Sequence, residues 1–258
     1  MDDPTPTLAS ASDVLALMAA HRSVRRFTAA PVPDSDVHAA VAAAQCAATS
    51  SWIQAYALLR VEDPVQRAAL VPLVGGQAQV AEAGAFFVVL ADTRRHRLLA
   101  ERAGAPYANN LEVFLLATVD ASLFAQNLAL AFEAQGYGIC YIGGLRNQLE
   151  DVDRLLALPH GVYPLFGLCV GVPAEDPGTR PRLPVEAVCF TDRYPSDAEV
   201  LAQVDAFDAT ARAYYAARGA TDARGVPRDW SGGTWRKFKA PMRPDLARYF
   251  RAKGASFD

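Results

Sequence analysis

The chain has 258 residues, of which 52% are hydrophobic and 21% are charged, and its formal net charge is −3. This length fits one large domain with a sizeable core, and the composition excludes disorder except locally. The slight negative charge gives no electrostatic reason to expect a nucleic acid or an anionic membrane as a partner. We therefore predict a single domain over residues 1–258 that binds neither nucleic acid nor a membrane.

The N-terminus, MDDPTPTLAS, has no basic segment followed by an apolar one, so a secretory signal is not predicted. The four cysteines form no CxxC pair and mostly have apolar neighbours, which favours buried thiols in a reducing compartment. Together these features predict a cytoplasmic protein. The cysteines are Cys46, Cys140, Cys169 and Cys189.

Hydrophobic periodicity and capping residues predict an alternation of helices and strands. The predicted helices cover Ser12 to about Ala20 with Ser12 as cap, Ala39 to about Ala48 with Asp34 as cap, Leu111–Gln135, Leu149–Leu158, about Asp197–Arg218 and Pro244–Lys253. The predicted strands cover Tyr56–Val61, Ala85–Leu90, Ile139–Ile142 and Leu165–Val172. This order indicates an α+β or α/β fold whose sheet is covered on both faces.

The predicted helix Leu111–Gln135 is apolar nearly all round, which is typical of a helix in the middle of a fold. Polar residues such as Asp120 within it would be costly in lipid, so we predict a core helix and not a membrane span. The stretch Gly219–Thr234 is rich in Gly, Arg and Asp and is predicted to be a mobile loop. The mobile excursion as a whole is expected at about residues 196–240.

The segment from His21 to Arg26, His-Arg-Ser-Val-Arg-Arg, places four potential cations and a hydroxyl within six residues. Guanidinium groups bind planar or tetrahedral anions through paired donors, so this cluster suits a phosphate or an electron-rich ring. A solvated basic turn is the alternative. A second pair, Arg180 and Arg182, flanks Pro181, which fixes the backbone between them. By itself that pair is equally compatible with an ordinary surface loop; together the two segments suggest a phosphate site.

Two glycine pairs could let a flat ligand approach the backbone. Gly143 and Gly144 follow a predicted strand, although a tight turn would have the same sequence. Gly75 and Gly76 precede Gln77, whose amide offers a donor and an acceptor to the edge of a pyrimidine-like ring. An ordinary polar cap would also account for that glutamine.

Several common catalytic motifs are absent from the sequence. There is no GxGxxG after a strand, no GxxxxGK[ST], no GxSxG and no HExxH, and the four histidines lack metal-ligand spacing. We predict no metal site. A nicotinamide coenzyme, if used, is not bound by a Rossmann fingerprint and would visit briefly, passing its hydride to a more firmly held group.

Six motifs in order resemble those of the oxygen-insensitive NADPH nitroreductase and NADPH:flavin oxidoreductase family, and the resemblance covers nearly the whole chain from residue 12. The motifs are HRSVRRF at 21–27, ATSSWIQ at 48–54, GGQ at 75–77, AQNLALAFEAQGYG at 125–138, YIGGLRN at 141–147, and LFGLCVGVP followed by RPRLP within 165–184. The resemblance implies an α+β, three-layer fold with a central mixed, mainly antiparallel sheet flanked by helices. It also implies an intertwined homodimer with tightly bound FMN in clefts at the subunit interface.

The resemblance implies roles for particular residues. Those expected on the FMN phosphate and the pyrimidine side are His21, Arg22, Ser23 and Arg25, with Arg180 and Arg182 also on the phosphate. Gln77 is expected at the pyrimidine edge. Those expected to run along the isoalloxazine by their backbone, with a glycine N–H near N5, are Tyr141, Ile142, Gly143, Gly144 and Leu145. Those expected in the FMN site from the partner subunit are Thr49, Ser50, Ser51 and Gln54, although Thr49 and Trp52 depart from a serine-rich run.

The same resemblance implies NADPH as a transient co-substrate. The pattern Tyr-Tyr-x-x-Arg-Gly places Arg218 at a position expected to reach the 2′-phosphate, and Arg224 is a looser match in a loop longer than expected. No protein residue is expected to act as a nucleophile, because flavin N5 carries the hydride. The implied activity is ping-pong hydride transfer from NADPH through FMN to nitro-aromatic, quinone or related flat acceptors. The alternatives are a flavin reductase that supplies free reduced flavin and a non-catalytic flavin-binding or redox-sensing protein.

Overall fold

The computed structural model describes residues 11–258, and the side chains from residue 13 onward. The chain separates into two compact units, one made of the described residues up to Pro177 with Asp245–Asp258, and the other of Gly178–Pro244. The single domain expected over residues 1–258 stays a prediction, as does the mobility of residues 196–240. The side chain of Ser12, predicted to cap the first helix, lies outside the described part.

The first unit contains a four-stranded antiparallel sheet in the order β1-β2-β4-β3. The strands are β1 (Tyr56–Arg60), β2 (Ala85–Asp92), β3 (Gly138–Ile142) and β4 (Val162–Gly171). A parallel bridge from Ser23 to Ile139 adds one parallel pairing at the outer edge of β3. The α+β fold with a mixed, mainly antiparallel sheet is therefore confirmed, and all four strands lie where the sequence predicts strands, although β4 begins three residues earlier than expected.

Alternation along β2 shows why the sheet is covered on both faces. Phe87 and Val89 face a core cluster that includes residues of α6 (Leu111–Ala134), whereas Phe86 and Val88 face a second cluster. Successive side chains of a strand point to opposite faces, so a strand with no polar residue in its interior requires apolar layers on both sides. This is the three-layer arrangement predicted for the chain.

The remaining helices of the first unit include three that the sequence analysis did not predict. The helices are α1 (Ala11–Ala19), α2 (Asp34–Ala44), α3 (Pro64–Leu73), α4 (Gln79–Glu82), α5 (Arg94–Ala103), α7 (Leu149–Leu156) and α10 (Leu246–Ala252). Of the unpredicted helices, α3 begins at the Asp63 side chain, which accepts the N–H of Val65, and α5 buries no residue. The sequence of α5 is polar, and α3 contains Pro72, a residue disfavoured inside helices.

Two predictions need correction here. Helix α2 begins at Asp34 with Pro33 as its N-cap and ends at Ala44, so Asp34 is its first residue and not its cap. Of the four cysteines, Cys140 and Cys169 are buried, whereas Cys46 and Cys189 are exposed. Cys46 follows the end of α2, and Cys189 lies in the irregular chain after Pro184, so neither belongs to a sheet layer.

Helix α6 is long and apolar enough to cross a membrane, with a mean hydropathy of 1.6 over an 18-residue window. Its buried residues nevertheless pack on the sheet as the prediction of a core helix requires. They are Ala117, Asp120, Ala121, Phe124, Ala125, Leu128, Ala129 and Phe132. Phe124 stacks on Tyr56 of β1 with ring centroids 4.4 Å apart, which fixes the helix against the sheet edge.

The second unit contains α8 (Asp197–Ala216) and α9 (Trp230–Phe238). A capping box between Ser196 and Glu199 starts α8 where the sequence predicts a helix. The predicted loop Gly219–Thr234 is wrong over its last part, because α9 begins at Trp230. The helix begins there because the Asp229 side chain caps it by accepting the N–H of Gly232. The Asp208 carboxylate accepts the N–H of Ser231 in the same turn.

Candidate functional site

The basic segment His21–Phe27 lies beside β3. Val24 donates its N–H to the carbonyl of Ile139 at 2.9 Å, next to the parallel bridge at Ser23, and Phe27 pairs with Pro173 after β4. Strand β3 runs directly into Gly143 and Gly144. The structure thus brings the basic segment and the Gly143-Gly144 pair to the same edge of the sheet.

Carboxylates just after β4 neutralise part of the basic segment. Arg22 pairs with Asp176 at 2.7 Å, and Arg26 pairs with Glu175 at 2.8 Å. Glu175 also accepts the backbone N–H of Arg25 at 2.8 Å; these hydrogen bonds from Arg25 and Arg26 hold the pKa of Glu175 below its usual value. The guanidinium of Arg25 contacts the carbonyl of Ser23 at 3.3 Å and makes no ion pair within residues 11–258. Arg25 is therefore the arginine of this segment that remains available to a ligand anion.

His21 is engaged inside the fold. Its Nδ1 lies 2.7 Å from Oε1 of Glu133, a residue near the end of α6. Glu133 Oε2 is buried and has no hydrogen-bond partner within the described residues. The pair ties the start of the basic segment to the helix that covers the sheet, which favours an anchoring contribution from His21 in this structure.

The glycine pair after β3 packs against the turn that carries Gln77. Gln77 Nε2 donates to the carbonyl of Val74 at 2.8 Å. A Cβ atom at Gly144 would collide with that carbonyl and with Gln77 Nε2, whereas one at Gly143 would be 3.6 Å from its nearest neighbour, a guanidinium nitrogen of Arg146. Two motifs separated by more than sixty residues therefore meet, and their contact requires glycine at position 144.

The strand end presents backbone rather than side chains. Ile142 and Leu145 are fully buried. The Tyr141 hydroxyl donates to the carbonyl of Ala125 at 2.8 Å, and burial raises the pKa of Tyr141 above that of an ordinary phenol. Since these three side chains are committed to the core, any ligand at this edge meets main-chain groups and the two glycines.

The segment Ser50–Gln54 has an unusual backbone. Ser51, Trp52 and Gln54 have φ values of 47°, 59° and 55°, in the left-handed region that non-glycine residues rarely adopt. Asp120 of α6 holds this segment at both ends, accepting the N–H of Ser50 at 2.9 Å and that of Ala55 at 3.1 Å. The Asp120 side chain is fully buried. The predicted residues Thr49, Ser50, Ser51 and Gln54 thus lie on a strained loop fixed by a carboxylate.

Within the second unit, Arg180 and Arg182 line a cavity of about 300 Å³. Arg182 donates from its guanidinium to the carbonyl of Arg180 at 3.1 Å, so the two arginines are linked across Pro181. The aromatic residues of the cavity are Phe207, Tyr214, Tyr215 and Trp230. Cationic groups beside aromatic rings suit a flat anionic ligand.

The two arginines predicted for NADPH differ in their surroundings. The guanidinium of Arg218 lies over the ring of Tyr214, 4.6 Å from its centroid. Arg224 is bound to Asp222, through its backbone N–H at 2.8 Å and its guanidinium at 3.4 Å. To pair with a phosphate, Arg224 would have to give up its contact with Asp222.

The sequence matches the Nitroreductase family over residues 18–172 and the C-terminal domain of that family over residues 180–258. The chain belongs to the nitroreductase family. It is 40% identical over 244 residues to the oxygen-insensitive NADPH nitroreductase of Salmonella typhimurium, a match covering 94% of this chain and 98% of that protein. It is 39% identical to the FMN reductase (NADPH) of Bacillus subtilis, covering 91% and 94% of the two chains.

Solved structures give the same result. The NfrA1 nitroreductase of B. subtilis is similar with a TM-score of 0.89 and 38% identity, over 94% of this chain and 98% of that one. The NADPH:FMN oxidoreductase of Vibrio harveyi, solved in complex with NAD+, is similar with a TM-score of 0.85 and 34% identity, over 95% and 99% of the chains. The resemblance inferred from the six motifs is thereby confirmed.

The sequence analysis missed two residues that organise this site. Asp120 could have been suspected, since a carboxylate in the middle of an apolar helix needs a partner. Glu175 gave no signal, because an acidic residue in a proline-containing stretch is ordinary on a surface.

Proposed function

We infer that this chain is an NAD(P)H-dependent FMN oxidoreductase of the nitroreductase type, which reduces nitro-aromatic, quinone or related flat acceptors. Family membership supports this, as do relatives named NADPH nitroreductase and FMN reductase. The observation that carries the assignment within the structure is the contact of Gln77 with Gly144, after the strand β3 beside which the segment with Arg25 lies.

The described residues fit FMN. Gly144 packs against the turn that carries the Gln77 amide, where any Cβ would collide, and Arg25 has no ion pair within residues 11–258. When bound, FMN supplies a two-electron carrier that accepts hydride from the nicotinamide coenzyme and passes it to the acceptor. Arg25 and nearby main-chain N–H groups would favour negative charge on the reduced ring. Buried Ile142 and Leu145 keep side chains out of the space beside the backbone.

The finer assignments remain predictions. These include the phosphate role of Arg180 and Arg182, the coenzyme role of Arg218 and Arg224, and ping-pong kinetics. Initial rates that give parallel double-reciprocal lines as NADPH and acceptor are varied would support the last, and intersecting lines would contradict it. A cytoplasmic location is likewise kept as a prediction.

We also propose a homodimer, supported by an exposed apolar stripe on α6. Leu111, Leu115, Val119 and Leu123 recur every fourth residue, which places them on one helix face, and they are 39–54% exposed. Trp52, on the loop predicted to serve the partner's site, is 84% exposed. Exposed apolar patches of this kind mark protein interfaces. A monomeric mass in sedimentation at micromolar concentration would contradict the dimer.

The central experiment is to saturate the protein with FMN, remove free flavin and oxygen, and add NADPH. We expect the visible absorbance of the oxidised flavin to disappear. A yellow protein that does not bleach would be a flavin-binding protein without turnover, and a protein that retains no flavin would overturn the assignment.

The flavin-reductase alternative is favoured by the relative named FMN reductase. The two activities differ in their acceptor. A higher kcat/KM with free flavin than with nitro compounds and quinones would identify a flavin reductase, and the reverse order would identify a nitroreductase.

A further inference from the structure

The amide of Gln77 is held from both of its ends. Its Nε2 donates to the carbonyl of Val74 at 2.8 Å, and its Oε1 accepts from Gln79 Nε2 at 3.2 Å. If the amide were rotated by 180°, the Val74 carbonyl would face an oxygen and the Gln79 donor would face an NH2 group. Two partners of opposite character therefore enforce one orientation of the Gln77 amide.

Gln79 is itself fixed by the sheet. It is buried at the start of α4, and its carbonyl accepts a hydrogen bond from the Cys169 thiol at 3.4 Å. Cys169 lies in β4, between β2 and β3, so Gln79 is attached to the interior of the sheet. A buried glutamine held by its backbone and by its amide has little freedom to change rotamer.

We propose that Gln79 is a positioning residue that locks the Gln77 amide in the orientation needed to recognise the imide edge of the flavin. A carboxamide has two N–H groups and two oxygen lone pairs, and the contacts to Val74 and Gln79 use one of each. One N–H and one lone pair remain for the ligand. An imide edge offers a carbonyl oxygen beside an N–H group, which is the complementary pair.

This inference rests on the proposed FMN function and makes the flavin selectivity depend on a residue that does not touch the ligand. Methylation of the flavin at N3 removes the imide N–H, so the wild-type protein should bind FMN more tightly than N3-methyl-FMN. Loss of Gln79 should reduce that preference, because the Gln77 amide is then oriented by the Val74 carbonyl alone. A purely structural role of Gln79 would weaken both ligands equally.

The test uses full-length apoprotein titrated with FMN and with N3-methyl-FMN, followed by flavin fluorescence. For Gln79→Met we expect the preference for FMN to fall roughly five- to tenfold, as for the loss of one hydrogen bond. Gln79→Glu should lower this preference further, because a carboxylate oxygen at position 79 would repel Oε1 of Gln77. In Gln77→Leu the preference should already be lost, and adding Gln79→Met should cause no further change.

Gln203→Met serves as the matched control, because the exposed Gln203 amide donates to the carbonyl of Glu186 within the second unit. An unchanged preference for FMN over N3-methyl-FMN in Gln79→Met would overturn the inference. If that variant does not fold, an unchanged preference in the near-isosteric Gln79→Glu would overturn it instead. Failure of wild-type protein to bind FMN at all would instead refute the proposed function.

Discussion

Two of the predicted site residues in the first unit are held by contacts of much longer range than two of those in the second. In the first unit, Arg25 is fixed to Glu175 across 150 positions of the chain and Ser50 to Asp120 across 70. In the second, Arg224 is fixed to Asp222 two positions away, and Arg182 to Arg180 likewise. Long-range contacts exist only when the whole unit is folded, whereas short-range ones form with the local turn.

This difference in contact range implies that substitutions in the two units have different consequences. A substitution that removes a long-range contact of the first unit should reduce the free energy of unfolding as well as ligand binding. A substitution at the exposed arginines of the second unit should alter binding with little effect on folding. The predictions below test this contrast, beginning with the largest expected effect.

Asp120→Ala should destabilise the protein most. It removes the acceptor of two backbone N–H groups, and that of Ala55 is buried, so we expect a loss of about 3 kcal/mol in the free energy of unfolding. Urea denaturation of the apoprotein measures it. Asp120→Asn keeps one carbonyl oxygen and the same shape and should cost less. Equal stability of Asp120→Ala and wild type would show that the strained loop is held in another way.

Gly144→Ala should also destabilise the apoprotein, by about 2 kcal/mol, because its Cβ collides with the Val74 carbonyl and the Gln77 amide. Gly143→Ala is the matched control, since the nearest atom to its Cβ would be 3.6 Å away. Urea denaturation of both variants gives the comparison. If the two cost the same, the close approach of the two turns is not what glycine at position 144 provides.

Arg25→Ala should separate binding from folding within the first unit. The Arg25 side chain is exposed, so the free energy of unfolding of the apoprotein should stay near that of wild type. The dissociation constant for FMN should rise roughly tenfold or more, with a weaker dependence on salt, because a charge-assisted contact is lost. Arg154→Ala removes a surface charge paired with Asp151 and serves as control in the same titration. Normal flavin retention in Arg25→Ala would exclude the assigned role.

Much of the first unit could be predicted because its signals are local. The run AFFVVL can be buried on both faces only in a central strand, and Gly144 marks a place where backbone must approach closely. The family resemblance then supplied the order of these pieces. Helix α5 was not predictable in this way, because it packs no buried residue and its polar sequence resembles a loop.

The electrostatics of the candidate site could not be predicted from the sequence. The segment His21–Arg26 shows three arginines of equal standing, but which of them keeps an available charge depends on Glu175 and Asp176, some 150 residues away. The orientation of the Gln77 amide likewise depends on Gln79, which has no distinctive sequence signal. Such assignments require the tertiary pairing and not the motif.

Arg218→Ala tests whether a substitution in the second unit changes coenzyme binding without changing stability. We expect the KM for NADPH to rise roughly fivefold with that for NADH nearly unchanged, since a 2′-phosphate contact is lost, and unfolding should be unaffected. Arg224→Ala should have a smaller effect, because Arg224 is the looser match to the sequence pattern that places Arg218. Steady-state kinetics with both coenzymes decides. A larger effect for Arg224 than for Arg218 would reverse the assignment.

The smallest effect concerns acid pH and the start of α9. Asp208 of α8 accepts the N–H groups of Trp230 and Ser231, each at 2.9 Å, and the Ser231 hydroxyl. Burial opposes ionisation of Asp208, but these hydrogen bonds outweigh it and lower its pKa below the ordinary 3.8. Because the pKa is lower in the folded protein, the carboxylate stabilises this turn above pH 3.8, and the stabilisation is lost as pH falls through the folded pKa.

Hydrogen exchange of the Trp230 and Ser231 amides should therefore lose protection in acid, after correction for intrinsic rates, while the amides of β2 remain protected. In Asp208→Asn the protection should be lower at neutral pH and should not change with acidification. Local opening of α9 without opening of the sheet is what support from contacts confined to the second unit implies. Simultaneous loss of protection in α9 and β2 would mean that this turn is as closely coupled to global folding as the Asp120 loop, and the contrast between the two regions would fail.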